Sequence, residues 1–585
     1  MRLTASRASI TSSGGAVLDA IQQEDPTLDL NFEETKTLTD DVSGTNLVTF
    51  SRASTGTYVD SDGLIKTSPV NLLRYSEQFD QSAWTKARTS IIPNDTAAPD
   101  GTQTADKMVE DSTNAPRGVY QSANPGQQTF SVYAKQSERS IINIFIPLST
   151  GAAYTYFDIS TGSIGTVGPS STASIQDTGS GWYRCSVSGS FVSGVTGVGI
   201  SLIDNQPAYQ GDGTSGVYIW GAQLEEGTTA TTYIPTTTTI SGAPRFDHDP
   251  VTGESLGLLI EEARTNLMLN SGTTDEMVAT SGVVRTSGGF AAPDGSTEAS
   301  RVDLPAVTGP NQVEIITEQF TGLQTSTDYT ASIYLKGING GELVYLTFAP
   351  GVATSFVAAN LTTEWQRFDI TGTTPTGTLF FNVGVDTRSG TGQANQPAQS
   401  FYAWGAQVEA NASFPTSYIP TTTSAVTRAA DLASITGTNF SSWYNQSEGT
   451  VFSQTSSVTN LQSDVTRTIY FIPENSSNVH SMSYRAGGFD DFAHATLING
   501  AFVFTPISSG DPNYVNDKVG YAYSSTGGST VHNSQAMSSS TDNLSAITAT
   551  SLQLGYTTVY LNGHIARLAY FPTRKTDQQL IDLTT

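Results

Sequence analysis

The chain holds a single cysteine in 585 residues, Cys185, so no intramolecular disulfide and no thiolate metal site can form. Cys185 sits in the alternating run Trp182-Tyr183-Arg184-Cys185-Ser186-Val187, which assigns it as a small buried apolar residue. Basic residues are scarce too. Against 53 Asp and Glu stand 27 Lys and Arg, a formal net charge of −26. Nucleic-acid binding draws its affinity from cations that neutralise phosphates, so DNA and RNA are excluded as partners. The same charge opposes anionic membranes. No apolar run approaches the roughly 18 residues of a membrane span, so no membrane insertion is expected. The opening Met1-Arg2-Leu3-Thr4-Ala5-Ser6-Arg7 lacks the apolar centre of a signal peptide. The expectation is a soluble protein made in a cytosol.

Catalytic patterns are missing as well. The five histidines, His248, His480, His494, His532 and His564, show no zinc-site spacing, and no Gly-x-Ser-x-Gly elbow or Walker loop occurs. The expectation is a protein that is not an enzyme. Acidic residues are nevertheless abundant enough for a carboxylate pair of a glycoside hydrolase to assemble in space.

What is present is turn and strand chemistry. Only 14% of residues are charged, and Thr, Ser and 54 glycines take their place. Gly, Asn, Asp and Ser satisfy turns, while Thr and Tyr suit a pleated surface. Helical material is scarce. The reading is an all-β fold, a multi-domain array of jelly-roll or β-sandwich modules with one short C-terminal helix opened by the capping box Thr576-Asp577-Gln578-Gln579.

An internal repeat defines the modules. Asn71-Leu72-Leu73 recurs as Asn266-Leu267-Met268, and Ala98-Pro99-Asp100-Gly101 as Ala292-Pro293-Asp294-Gly295. Ser131-Val132-Tyr133-Ala134-Lys135 recurs as Ser332-Ile333-Tyr334-Leu335-Lys336. Trp220-Gly221-Ala222-Gln223 recurs as Trp404-Gly405-Ala406-Gln407, and Tyr233-Ile234-Pro235 as Tyr418-Ile419-Pro420. The order is preserved, so sandwiches are expected at 71–240 and 266–425. A third, concanavalin-like sandwich is expected at 427–585. Residues 1–25 read as an arm or docking segment, 26–70 as a short β segment and 241–265 as a β linker or hairpin.

Strand alternation points to candidate binding residues. In the first module Phe130, Val132, Ala134, Cys185 and Val187 form the inward set. This leaves Tyr133, Lys135, Tyr154, Tyr156, Trp182 and Arg184 facing outward. The second module repeats part of the set as Tyr334, Lys336, Trp365 and Arg367. Such a face serves either as a sugar platform, with rings stacking on pyranoses, or as a packing surface against a loop, module or subunit. Trp220 and Trp404, flanked by apolar residues, are assigned to the core. No cofactor is required. Calcium is the one ion the loops Asp60-Ser61-Asp62-Gly63 and Asp247-His248-Asp249 could take, and ordinary turns explain them equally.

Several long segments resemble proteins of bacteriophage particles. They are Phe50-Ser51-Arg52-Ala53-Ser54-Thr55-Gly56-Thr57-Tyr58-Val59-Asp60, and Pro244-Arg245-Phe246-Asp247-His248-Asp249-Pro250 with its continuation Gly257-Leu258-Leu259-Ile260-Glu261-Glu262-Ala263-Arg264. Asn71-Leu72-Leu73-Arg74-Tyr75-Ser76 is similar to the start of their carbohydrate-binding-module-like domain, and Leu561-Asn562-Gly563-His564-Ile565-Ala566-Arg567 to the closing strands of their concanavalin-like (LamG-like) domains. The resemblance implies a virion structural protein, a tail fibre or spike-type appendage that binds a host cell-surface glycan. It implies other virion proteins as partners and a homo-oligomer, with a trimer favoured. A purely structural subunit and a polysaccharide depolymerase are the alternatives. In such relatives the Tyr-Val-Asp and Pro-Arg-Phe-Asp segments lie close together. Here residues 71–240 separate them, which implies that the first module is an inserted copy.

Overall fold

A computed structural model describes residues 19–148, 151–192, 197–203, 209–351, 355–458, 466–485, 491–504, 507–509 and 516–585. The fold is all-β, built of antiparallel sheets, and the chain divides into two compact units. Most of the segment expected as an arm, residues 1–18, lies outside the described residues.

One unit comprises residues 52–55 and 68–243. Among the described residues it is two six-stranded antiparallel sheets packed face to face. The first holds Gly126–Gln136 between Trp182–Phe191 and Gly216–Glu226, and the second holds Ile141–Leu148 between Gly151–Asp158 and Val198–Leu202. Phe130, Val132, Ile144, Phe157, Cys185 and Ile200 meet between them, and burial pushes the Cys185 thiol up. The ends of this unit adjoin: Ser241 pairs with Asn71 and Gly242 with Val70, while Arg52 donates to Ser54 O, Ser68 Oγ and Ala243 O. This is the geometry of an insertion, because a domain whose termini touch can enter a loop without separating its flanks.

The other unit contains the second repeat and the terminal sandwich. In the second repeat the sheet of Asp328–Gly337, Gln366–Thr373 and Gln399–Ala410 faces that of Val313–Thr321, Thr378–Asp386 and Leu343–Ala349 over Ile316, Ile333, Leu346, Phe381 and Phe401. The terminal sandwich is not confined to 427–585. Leu28–Leu30 pairs with Leu568–Tyr570, Thr49–Ser51 with Leu432–Ser434, and Ser255–Ile260 with Gly563–Phe571. The stretches 26–70 and 241–265 therefore supply strands to this sandwich rather than standing as separate pieces. The capping box forms as expected, opening the helix Asp577–Leu583, whose Leu580 and Leu583 are buried.

The repeated motifs have one structural purpose. Asn71, fully buried, donates to Ala222 O and Ile234 O at 3.0 and 2.9 Å and accepts from the Leu73 and Leu224 amides. Asn266 does the same with Ala406, Ile419, Met268 and Val408. Gln223 accepts from the Ile234 amide and Gln407 from the Ile419 amide, each at 2.7 Å. The stretch Tyr233–Thr238 is thus a segment tied back onto its own module. Gly221 and Gly405 lie in the left-handed region, beside register shifts at Ser131/Tyr133 and Ser332/Tyr334. There a Cβ would come within 3.0 Å of the Tyr133 or Tyr334 ring.

Candidate functional site

Residues assigned outward by alternation do leave the inter-sheet core: among them Trp182 is buried, Tyr154 is exposed and the rest are partly exposed. In the first module Tyr133 pairs with Arg184 and Lys135 with Trp182 on one sheet. Trp182 is only 1% exposed, and its indole donates to Ala97 O. Tyr133 packs on Trp220 and Tyr233 at 5.3 and 6.0 Å. Arg184 lies over the Tyr133 ring and donates to Thr231 O and Ser131 Oγ. The segments around Ala97–Thr104 and Thr231–Thr236 roof this face, forming a satellite cluster with Trp182, Trp220 and Ala98. The repeated Ala98-Pro99-Asp100-Gly101 is a tight turn in that roof. Period-two alternation says which side of a sheet a residue takes, not what covers that side, and here loops cover Trp182 and leave Tyr133, Lys135 and Arg184 partly exposed. Trp220 and Trp404 are buried, but in these satellite clusters rather than between the sheets.

The second module repeats the arrangement. Tyr334 packs on Trp404, Arg367 lies over Tyr334 and donates to Thr416 O and Ser332 Oγ, and Trp365 joins the same cluster. Lys336 is partly exposed on the same strand.

Tyr154 and Tyr156 lie elsewhere, on the outer face of the first module's second sheet. Sequence reasoning missed their companions. In Ile141–Leu148 the residues Ile142, Ile144, Ile146 and Leu148 point into the core, so Asn143, Phe145 and Pro147 point out. Register then builds a rung Tyr154–Phe145–Gly199–Tyr120 across four strands, roughly 14 Å at ~4.8 Å per strand. Ring centroids are 6.2 Å apart for Phe145–Tyr154 and 6.1 Å for Tyr120–Phe145. Tyr154 is 46% exposed, Tyr120 partly exposed and Phe145, between them, 8% exposed. The next rung is Tyr156–Asn143–Ser201–Gly118, and the Asn143 amide oxygen is buried without a hydrogen-bond partner. The missed signal was an aromatic in the outward set of a strand whose inward set was already complete.

The second module places different chemistry on the outer face of its corresponding sheet. Thr317, Asn382 and Thr347 form a hydrogen-bonded ladder at 2.6 and 2.8 Å, so their polar groups are spent on one another. Tyr345 is buried against Phe356 at 5.0 Å and accepts from the Ala394 amide. The aromatic rung belongs to the first module alone among the two repeats.

Two further concavities lie in the larger unit. A groove of about 650 Å³ carries Asp19, Glu33, Glu34, Asp249 and Glu254. Four of these carboxylates are engaged: Asp19 with Arg567, Glu33 with Gln454, Glu34 with Asn31, and Asp249 with the Val251 and Thr252 amides. Burial pushes the Asp19 carboxyl up but Arg567 outweighs it, and the Thr252 amide lowers Asp249, so neither has the raised pKa of a general acid. Of the candidate calcium segments, residues 60–63 form a turn, and Asp247 and His248 lie in the strand Phe246–His248. Asp62 accepts from the Leu64 amide and pairs with Lys66, and Asp247 accepts from the Val59 amide and bonds His564. No group of three or more His, Cys, Asp or Glu suited to a metal occurs among the described residues.

No protein-family model matches the chain, and no curated protein matches it in sequence. Parts of it are similar to solved β-sandwich structures. One is the CBM40 module of the Ruminococcus gnavus IT-sialidase, at 14% identity and a TM-score of 0.22, covering 25% of this chain and 88% of that module. That module is also known bound to α2,3-sialyllactose. Another is a CBM4 structure, at 16% identity and a TM-score of 0.18, covering 24% of this chain and 99% of that one. A third is the exo-β-1,3-galactanase of Phanerochaete chrysosporium, at 9% identity and a TM-score of 0.16, covering 55% of this chain and 69% of that one.

Proposed function

We propose that the chain is a non-catalytic glycan-binding protein whose first module reads sugar with the face carrying Tyr154, Phe145 and Tyr120. The observation that carries this reading is the aromatic rung itself. Pyranose rings stack their apolar faces on such side chains, while a hydroxyl beside them can fix a sugar hydroxyl. The partly exposed Ser201 stands one rung away. A purely structural sheet face has no need of this chemistry, as the self-satisfied ladder of the second module illustrates. The roofed clusters around Trp182 and Trp404 act as module anchors in this reading, and the engaged carboxylates of the acidic groove supply no acid–base pair.

The resemblance of the segments around Arg52, Arg245 and His564 to phage particle proteins supports placing the chain on a virion, as an oligomeric appendage that meets the host surface. Single weak sites gain from such multiplicity. The test is binding of the full-length protein to a glycan array and to host cells, with Tyr154→Ala and Tyr120→Ala beside the native chain. Saturable binding should weaken about tenfold or more per ring, since stacked aromatic contacts contribute roughly 0.5–1.5 kcal/mol beyond their buried area. Both variants should keep the native unfolding midpoint. Absence of binding at micromolar oligomer would transfer the chain to the structural class of virion subunit.

A further inference from the structure

A cavity of about 180 Å³ in the larger unit is lined by side chains that the glycan-binding face does not use. Tyr58 and Val59 come from one hairpin, Asp247 from the strand Phe246–His248, Tyr334 and Arg367 from the second repeat, and Asn562 and His564 from the terminal sandwich. Protein interiors leave few voids larger than one water, and this one has room for about six at ~30 Å³ each. It is not a packing defect, because its wall is held rigidly. Asp247 is fixed by the Val59 amide at 2.6 Å and by His564 Nε2 at 2.8 Å. Arg367 is fixed by Thr416 O and Ser332 Oγ over the Tyr334 ring. Beneath, Glu261 is locked between Arg245 at 2.8 Å and Arg428 at 3.5 Å. Among the described residues, the hydroxyls of the wall residues Tyr334 and Tyr58 have no protein hydrogen bond, and neither does the buried Arg367 Nε. Tyr58, Val59 and Asp247 are partly exposed, which gives the cavity a mouth.

We infer that this cavity is a second ligand site, built for one neutral, polyhydroxylated ring of monosaccharide size. The wall carries both signs: Asp247 opposes an anion, and Arg367 opposes a cation. Asp247 and Glu261 already have their partners, and the terminal nitrogens of Arg367 are tied to neutral oxygens, so a charged ligand of either sign would meet a like charge in the wall. A neutral ring offering both donors and acceptors matches the tyrosine hydroxyl, the carboxylate edge and the imidazole, and the Tyr58 and Tyr334 rings supply apolar surface. The site stands independently of the first module's face.

The test uses the full chain carrying Tyr154→Ala, which silences that face. Saturation-transfer NMR and calorimetry are run with galactose, glucose, mannose and N-acetylglucosamine, with oligosaccharides ending in the same rings, and with N-acetylneuraminic acid and glucosamine as charged controls. At least one neutral ring should bind saturably, and Tyr334→Phe, which removes only the hydroxyl, should weaken it about five- to tenfold. Asp247→Asn should weaken it by at least as much. Binding of the free sugar marks a soluble ligand; binding only of the oligosaccharide marks a glycan end. If Tyr154→Ala abolishes all sugar binding, if only the charged controls bind, or if Tyr334→Phe leaves affinity unchanged, the inference is overturned. Soaked crystals keep it falsifiable should a variant misfold: no sugar density in the cavity of the native chain at saturating ligand would equally overturn it.

Discussion

Asn71 and Asn266 use both amide donors and both acceptor sites of the side chain, and all their partners are backbone groups of their own module. Removing such a residue strands several buried backbone groups at once, each costing more than a mean hydrogen bond is worth. Asn71→Ala should therefore destabilise the first module by about 2–4 kcal/mol. Urea denaturation followed by a module-specific probe such as Trp182 fluorescence would check it. A loss below about 0.5 kcal/mol would show that water replaces the clamp. The asparagine was legible as a repeat in the sequence, but its partners, some 150 residues away, were not.

The strands of the terminal sandwich carry a titrating group of a different kind. His480, fully buried beside Thr496 and Tyr521, is held by burial at a pKa of about 3. Its unfolded value is near 6.5, so between these limits only the unfolded chain takes up the proton. The stability from the neutral imidazole is complete above pH 6.5 and lost as pH falls, at about 1.4 kcal/mol per pH unit. Asp41 works in the opposite direction, since burial lifts it to about 6, so the native chain alone does not isolate the effect. Comparison with His480→Phe does. Between pH 7 and pH 4.5 the native chain should lose on the order of 2–3 kcal/mol relative to the variant, measured as the difference in unfolding free energy. Parallel pH profiles for the two proteins would refute it. At this scale the sequence located strands well, because their inward sets are apolar. It did not show that a loop closes over Trp182, because that cover comes from outside the strands.

For the whole molecule, the two compact units set the expectation for cutting the chain. Residues 68–243 hold their own core and their ends pair with each other. Produced alone, this segment should fold, giving a cooperative melt and a dispersed NMR spectrum. Residues 427–585 alone should not, for the sandwich they belong to needs Leu28–Leu30, Thr49–Ser51 and Ser255–Ile260, with Phe32 and Leu258 in its core. Limited proteolysis and ANS binding would distinguish the outcomes. A compact, cooperative 427–585 would mean that those outlying strands are decoration.

The sequence by itself determined the β class, the repeat, the buried Cys185 and the capped terminal helix, since each follows from local periodicity or spacing within a few residues. It also singled out Arg245, Glu261 and His564 within the segments that resemble phage particle proteins. That Arg245 and Glu261 meet at 2.8 Å, and His564 and Asp247 at 2.8 Å, was decided only by the tertiary structure. So were the aromatic rung of Tyr154, Phe145 and Tyr120 and the roof over Trp182. Alternation assigns a side chain to one of two faces; which strands lie beside it, in what register, and which distant loop closes over it depend on contacts between segments that local sequence does not encode.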